Sequence, residues 1–190
     1  MGEPTANPWH TLSSRVVYRS SWLVLREDKV IRPDGAEGTY GVVEIPFSCG
    51  VVAISGDNHI ALVSQWRYVH KKLSLEIPTG GSAKGETPLA AAKRELVEET
   101  GLTADSWMTL GTVDNSNGVT TDVAHMFLAR DLKSGASVPQ GDERIELLWM
   151  PFADAVRSVM TGGITESVSV AAILKAELLG TSRPLYPPVT

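Results

Sequence analysis

Between Gly80 and Leu102 the chain reads GGSAKGETPLAAAKRELVEETGL, which sets four glutamates and an arginine at fixed spacings between two glycines. Thr87 offers a hydroxyl N-cap before Pro88 at the first helical position, and Gly101 offers a left-handed stop, so a helix is predicted over Pro88 to Thr100. At about 100° per residue, Glu95, Glu98 and Glu99 fall within one arc, while Leu89, Ala92, Leu96 and Val97 point elsewhere and can pack on a core. Like charges three and four residues apart repel by a few tenths of a kcal/mol per pair, which Lys93 and Arg94 offset only in part. Such a face suits a hard cation, Mg²⁺ or Mn²⁺, which prefers oxygen ligands and keeps waters and phosphates in its shell. Spacing alone leaves a second reading open, a solvated acidic helix face.

The wider pattern separates the two. Gly80, five residues, Glu86, seven residues, then Arg94-Glu95-Leu96-Val97-Glu98-Glu99-Thr100-Gly101-Leu102 resembles the Nudix hydrolase signature at every specified position. Seven fixed letters at ordinary residue frequencies coincide at a given start with a chance on the order of 10⁻⁹. The resemblance implies a loop, helix and loop in which Glu95, Glu98 and Glu99 bind divalent metal, with the backbone carbonyl of Thr79 as a further ligand. It implies that Arg94 braces the carboxylates, that Glu86 orders the loop, and that Gly80 and Gly101 serve backbone conformation.

The flanks resemble one group within that family. Gln65-Trp66-Arg67, followed by Leu75-Glu76-Ile77-Pro78-Thr79-Gly80, is similar to the lead-in of ADP-ribose and nucleoside diphosphate sugar pyrophosphatases, and the likeness extends over roughly Trp22 to Leu179. By that resemblance Arg67 grips the diphosphate with its planar guanidinium, and Gly118 and Asp122 contact the nucleotide sugar. Glu143, with Asp142 as second choice, is the loop carboxylate that takes a proton from water or adds a metal contact. Glu98 and Glu99 complete the expected catalytic set. Many relatives have Ser-Pro-Gly where this chain has Ser116-Asn117-Gly118, and glutamate where it has Asp122, so the sugar and nucleotide stay open. Alternatives are hydrolysis of nucleoside triphosphates or RNA 5′ ends, or a non-catalytic ADP-ribose sensor. Intact motif carboxylates weigh against the sensor, and the acidic charge against RNA.

Several residues carry two readings. Glu76, in an apolar strand, is a structural acceptor or a substrate contact, with the structural role preferred. Trp22, Trp66 and Tyr68 are core aromatics or platforms for a base. His125 reads as a core histidine.

The elements that must position these groups follow from local pattern. Strands are predicted over Thr11 to Arg19, Trp22 to Ile31 and Thr39 to Phe47, the last two joined at Pro33-Asp34-Gly35. Further strands are predicted over Gly50 to Ile54, His59 to Trp66, Leu73 to Ile77, Met108 to Val113, Asp122 to Ala129 and Ile145 to Met150. Helices are predicted over Phe152 to Met160 and Glu166 to Leu179. Strands interspersed with helices imply an α/β layered domain, and the resemblance specifies an α/β/α sandwich on a mixed sheet. The expected division is an N-terminal antiparallel β segment over 1–47, the catalytic domain over 48–180 and a Pro-rich tail over 181–190. Three strands are too few to stand alone, and the resemblance implies that they make a homodimer.

At 190 residues and 43% hydrophobic content the chain can bury one substantial core. Its net charge of −5 argues against nucleic acid as a partner. Cys49 is the single cysteine, which excludes an intrachain disulfide, and its flanks give no sign of thiol catalysis. No basic leader and no apolar run of membrane-spanning length is present, so a soluble, cytoplasmic protein without a membrane partner is expected.

Overall fold

The computed structural model describes residues 7–135 and 145–180. The chain forms two compact units. The first runs up to Pro46 and takes back Ser116–Asp122, and the second starts at Phe47, runs to Asn115 and resumes at Val123.

The first unit is an antiparallel sheet of β1 (His10–Arg19), β2 (Val24–Ile31) and β3 (Glu37–Glu44), in that order. The expected turn closes β2 onto β3: Arg32 N–H donates to Ala36 O at 2.9 Å, and Ala36 N–H donates to Asp34 Oδ1 at 3.0 Å. The returning loop pairs with β3, where Val43 N–H donates to Val119 O at 2.8 Å and Thr121 N–H to Val43 O at 3.0 Å. Trp22 was expected within a strand but lies in the turn before β2. There Ser20 N–H donates to Leu23 O at 2.9 Å, and the Ser20 hydroxyl oxygen accepts from Leu23 N–H at 3.2 Å. The serine side chain competes for the backbone and delays the strand.

The second unit is the expected layered domain. Its mixed sheet contains β4 (Ser48–Ile54), β5 (His59–Arg67), β6 (Lys72–Glu76), β7 (Thr79–Gly81), β8 (Leu102–Asp114), β9 (Val123–Ser134) and β10 (Glu146–Pro151), with main order β10-β5-β4-β9-β8. Only β4 and β9 run parallel. Successive residues point to opposite faces of a strand, and both faces of β4 are apolar. Cys49, Val51 and Ala53 pack with Ala91, Ala92 and Leu96 of α1 (Pro88–Thr100). Val52 and Ile54 pack with Phe152 and Ala155 of α2 (Phe152–Thr161), and with Val168, Ala172 and Ile173 of α3 (Ser167–Gly180). Helices therefore cover both faces, as parallel pairing at the centre of a sheet requires.

The sheet splits between its two central strands. β4 and β5 pair only at Ala53–Ala61 and Ile54–Ile60, after which β5 pairs with β6 through Arg67–Lys72, and β4 pairs with β7 through Ser48–Gly81. The strand end at Glu76, the connection Ile77-Pro78 and Thr79 all lie in this divergence. α3 is anchored beside them, since Ile77 N–H donates to Ser169 Oγ at 3.0 Å. β7 has no counterpart among the predicted strands because two of its three residues are glycine, which has low strand propensity. β8 and β9 outrun their predicted lengths as a ladder from Leu102–Ser134 to Asp114–Val123, and the added residues include exposed polar ones, Thr103, Lys133 and Ser134.

Among the described residues no helix is long and apolar enough to cross a membrane. Cys49 is a free, buried thiol, pushed up to about 12 by burial and then by the charges of Glu95 and Glu86. Such burial keeps the thiol protonated, which suits a packing role.

Candidate active site

Helix α1 forms as its ends dictate. Thr87 Oγ1 accepts from Ala90 N–H at 3.3 Å, Pro88 opens the first turn, and Gly101 at φ 70° donates its N–H to Val97 O at 2.8 Å. Ala91, Ala92 and Leu96 bury one side, and the glutamates emerge toward β7 and the loop before the helix.

Arg94 organises that face. Its Nε and Nη2 donate to the two oxygens of Glu86, each at 3.0 Å, and Nη2 also reaches Gly81 O at 2.8 Å. Its Nη1 donates to Glu95 Oε1 at 2.7 Å and to Glu98 Oε2 at 2.8 Å. Glu86 also accepts from Ala83 N–H at 2.8 Å, so it ties the loop to the arginine. Hydrogen bonding from Arg94 and then from Ala83 holds the Glu86 carboxyl below the usual range, while Glu86 before all others raises the Arg94 guanidinium. Glu99 faces the other way, its Oε2 accepting from Thr79 N–H at 2.9 Å.

Glu95 is buried against Gly80. A Cβ on that glycine would lie 2.1 Å from the Glu95 carboxyl carbon. Gly80 lacks the positive φ that Gly101 has, so its expected conformational role is corrected: the position needs a missing side chain. Burial pushes the Glu95 carboxyl up, and the hydrogen bond from Arg94 only partly opposes this.

Among the described residues no three His, Cys, Asp or Glu side chains converge closely enough to enclose a cation. Glu95 and Glu98 are turned to Arg94, and Glu99 to Thr79. The donor set still fits a hard divalent ion. It consists of carboxylate oxygens on one helix, the Arg94 guanidinium holds two of those carboxylates, Glu95 and Glu98, and the buried Glu95 stands in surroundings that penalise an uncompensated charge.

Beside this face, where β5 has parted from β4 and pairs with β6, a cleft of about 630 Å³ opens, lined by Gln65, Arg67, Tyr68, His70, Lys72, Glu76 and Glu166, among others. Arg67 Nε donates to Glu76 Oε1 at 2.9 Å, and its Nη2 donates to Glu76 Oε2. Glu76 is 1% exposed. Burial disfavours its ionised form, but donors from Arg67 and Ser74 outweigh this and hold its carboxyl below the usual range. The guanidinium is raised first by the hydrogen bonds it donates to Glu76, and the charges of Glu166 and Glu99 add to this. The charge of Glu99, on the carboxylate helix, is thus felt at the arginine of the cleft. The structural reading of Glu76 holds, and the guanidinium edge expected to grip a diphosphate lies on Glu76.

Gly118 and Asp122 belong to the first unit, where Gly118 O accepts from the Tyr40 hydroxyl at 2.7 Å and Asp122 N–H donates to Thr120 Oγ1 at 3.3 Å. Glu143 and Asp142 lie outside the described residues. Trp22, Trp66 and Tyr68 are 67%, 60% and 86% exposed, so none is a core aromatic. His125 is half-buried, edge-on to Phe47 at 5.2 Å between ring centroids.

Sequence reasoning missed Glu166 and the basic hairpin with His70 and Lys72. Glu166 caps α3: its oxygens accept from Val168 N–H at 2.9 Å and Ser169 N–H at 2.7 Å. An acidic residue just before an apolar helical run was the available signal. His70-Lys71-Lys72 is a basic run in an acidic chain, and that contrast could have marked it.

Comparison with known proteins agrees with this architecture. The profile of the NUDIX domain matches residues 45–168, and that of the nucleoside diphosphate sugar hydrolase N-terminal domain matches residues 9–43. The chain belongs to the NUDIX family and is a Nudix hydrolase, a class that works with a divalent metal. It is 31% identical to an ADP-ribose pyrophosphatase of Mycobacterium tuberculosis, over 93% of this chain and 89% of that one. It is 26% identical to a GDP-mannose pyrophosphatase of Klebsiella pneumoniae, over 85% and 87%. A crystal structure of an ADP compounds hydrolase superposes with a TM-score of 0.82 at 21% identity, covering 95% of this chain and all of that one, which shows the shared fold.

Proposed function

We propose that the protein hydrolyses the pyrophosphate bond of ADP-ribose or another nucleoside diphosphate sugar, giving a nucleoside monophosphate and a sugar phosphate. The observation that carries this reading is the carboxylate face held by Arg94 on the signature helix, in the same compact unit as a cleft that holds Arg67. The named activities of the Mycobacterium and Klebsiella relatives support it.

Glu95, Glu98 and Glu99, with the Thr79 carbonyl, would hold the cation, Mg²⁺ or Mn²⁺. Such an ion neutralises phosphoryl oxygens and lowers the pKa of water. Arg94 keeps Glu95 and Glu98 at a common point, and Gly80 leaves room for the Glu95 carboxylate. Arg67, oriented by Glu76, directs its remaining donors at the diphosphate, as a planar guanidinium with five N–H groups can. Water attacks one phosphorus, the bridging P–O bond breaks, and Glu143 takes the proton. Gly118 and Asp122 contact the nucleotide sugar. In this reading residues 1–47 form the dimerising segment of a homodimer, 48–180 the catalytic domain and 181–190 a tail, and the enzyme acts in the cytoplasm, where its one thiol, Cys49, stays reduced.

The test is a steady-state assay of metal-loaded protein against a panel of nucleotide sugars with both products identified. Release of AMP and ribose 5-phosphate from ADP-ribose, or the matching pair from another sugar, is expected, and no release across the panel would sink the proposal. Glu98→Gln should abolish turnover while the far-ultraviolet circular dichroism stays unchanged.

A further inference from the structure

Gln65 is 5% exposed, and its amide Nε2 has no hydrogen-bond partner among the described residues. Buried polar side chains are nearly always paired, and a buried donor without an acceptor destabilises the fold, whereas a leucine of similar size would not. The residue lines the cleft, so the nearest source of the missing acceptor is whatever fills it.

Its place on β5 narrows what that is. Ala61 packs in the core under α1, and alternation puts Val63, Gln65 and Arg67 on the same face. Gln65 stands opposite Ser74, Arg67 stands opposite Lys72, and the two are about 7 Å apart along the strand. Both carboxylates of the wall are engaged by the protein, Glu76 by Arg67 and Glu166 by the first N–H groups of α3. The wall therefore presents donors, which complements an oxygen-rich anion. We infer that Gln65 is a substrate-recognition residue whose Nε2 donates to an oxygen of the bound nucleotide sugar, either on the diphosphate or on the sugar attached to it. This rests on the nucleotide-sugar reading of the site.

The test compares the full-length protein with Gln65→Leu and Gln65→Glu by calorimetric titration with ADP-ribose and with ADP in EDTA, where turnover is prevented, together with thermal denaturation. Gln65→Leu is expected to melt at or above the wild-type temperature and to bind ADP-ribose about tenfold more weakly, the loss of one modest hydrogen bond. Gln65→Glu, which keeps the shape and brings a like charge to the anion, should bind more weakly still. A loss shared by ADP places the acceptor on the diphosphate, and a loss confined to ADP-ribose places it on the sugar. Unchanged affinity for both ligands, with or without a lower melting temperature, overturns the inference and leaves Gln65 a structural residue. Wild-type protein that binds neither ligand overturns the nucleotide-sugar reading, and the inference with it. Should Gln65→Leu fail to fold, Gln65→Met carries the same comparison.

Discussion

Glu76 and Glu95 are both buried carboxylates beside a guanidinium, yet their titrations are displaced in opposite directions. Arg67 lies on both oxygens of Glu76, so ionisation is favoured despite burial. Arg94 divides itself among three carboxylates, so burial dominates at Glu95. A lowered folded pKa means that the stability contributed by Glu76 is present above its unfolded value of about 4.3 and is lost as pH falls through the lower folded value. At Glu95 the sign reverses: its favourable contribution belongs to the protonated form and is lost as pH rises through the raised folded value. Breaking a buried pair costs about 3–5 kcal/mol. Because Arg67 reaches solvent, Glu76→Gln is expected to cost nearer 2 kcal/mol at pH 7, with the deficit closing as pH falls below about 4. Glu95→Gln in metal-free protein should cost less. Urea denaturation of both variants at neutral and acidic pH checks the contrast, and equal costs at pH 7 would refute it. Glu76→Gln should also raise KM more than it lowers kcat, because a loosened Arg67 loses binding shared by ground and transition states.

At the scale of elements, α1 was wholly legible: its predicted span, cap and stop are those observed. Threonine, proline and glycine each act on the adjacent backbone, so local chemistry settles the helix. Gly80 shows where such reading ends, because its requirement comes from Glu95, fifteen positions along the chain and in contact only once α1 is docked on β7. The two motif glycines should accordingly fail differently. Gly101→Ala places a Cβ in the left-handed region and is expected to cost about 1 kcal/mol of stability with turnover largely kept. Gly80→Ala pushes the Glu95 carboxylate aside, and a displacement near 1 Å is enough to lower kcat by about 100-fold. Chemical denaturation and steady-state kinetics on the two variants separate these outcomes, and full activity in Gly80→Ala would remove the case for space at that position.

At the scale of the molecule, alternation and helical spacing sufficed to read the layers, because each strand and helix carries its own apolar pattern. The cleft was not readable in the same way. It exists because β4 and β5 separate after two paired residues, and that separation follows from long-range register. The N-terminal sheet poses a question at this scale too. All ten residues of β1 are exposed, with Leu12, Val16, Val17 and Tyr18 among them, and β1 is an edge strand. An exposed apolar edge is an aggregation hazard unless another chain pairs with it or covers it, and three strands with so little buried apolar surface are marginal alone. A second copy of this chain is the occupant we propose. Sedimentation equilibrium at micromolar concentration should return twice the monomer mass for the wild type. Replacing Val16 and Tyr18 together by lysine should return the monomer mass, because two like charges would then face their counterparts across a symmetric interface. The circular dichroism of the double variant should match the wild type, since both side chains already face solvent within one chain. A wild-type protein that sediments as a monomer at that concentration would leave β1 an open edge and end the case for the dimer.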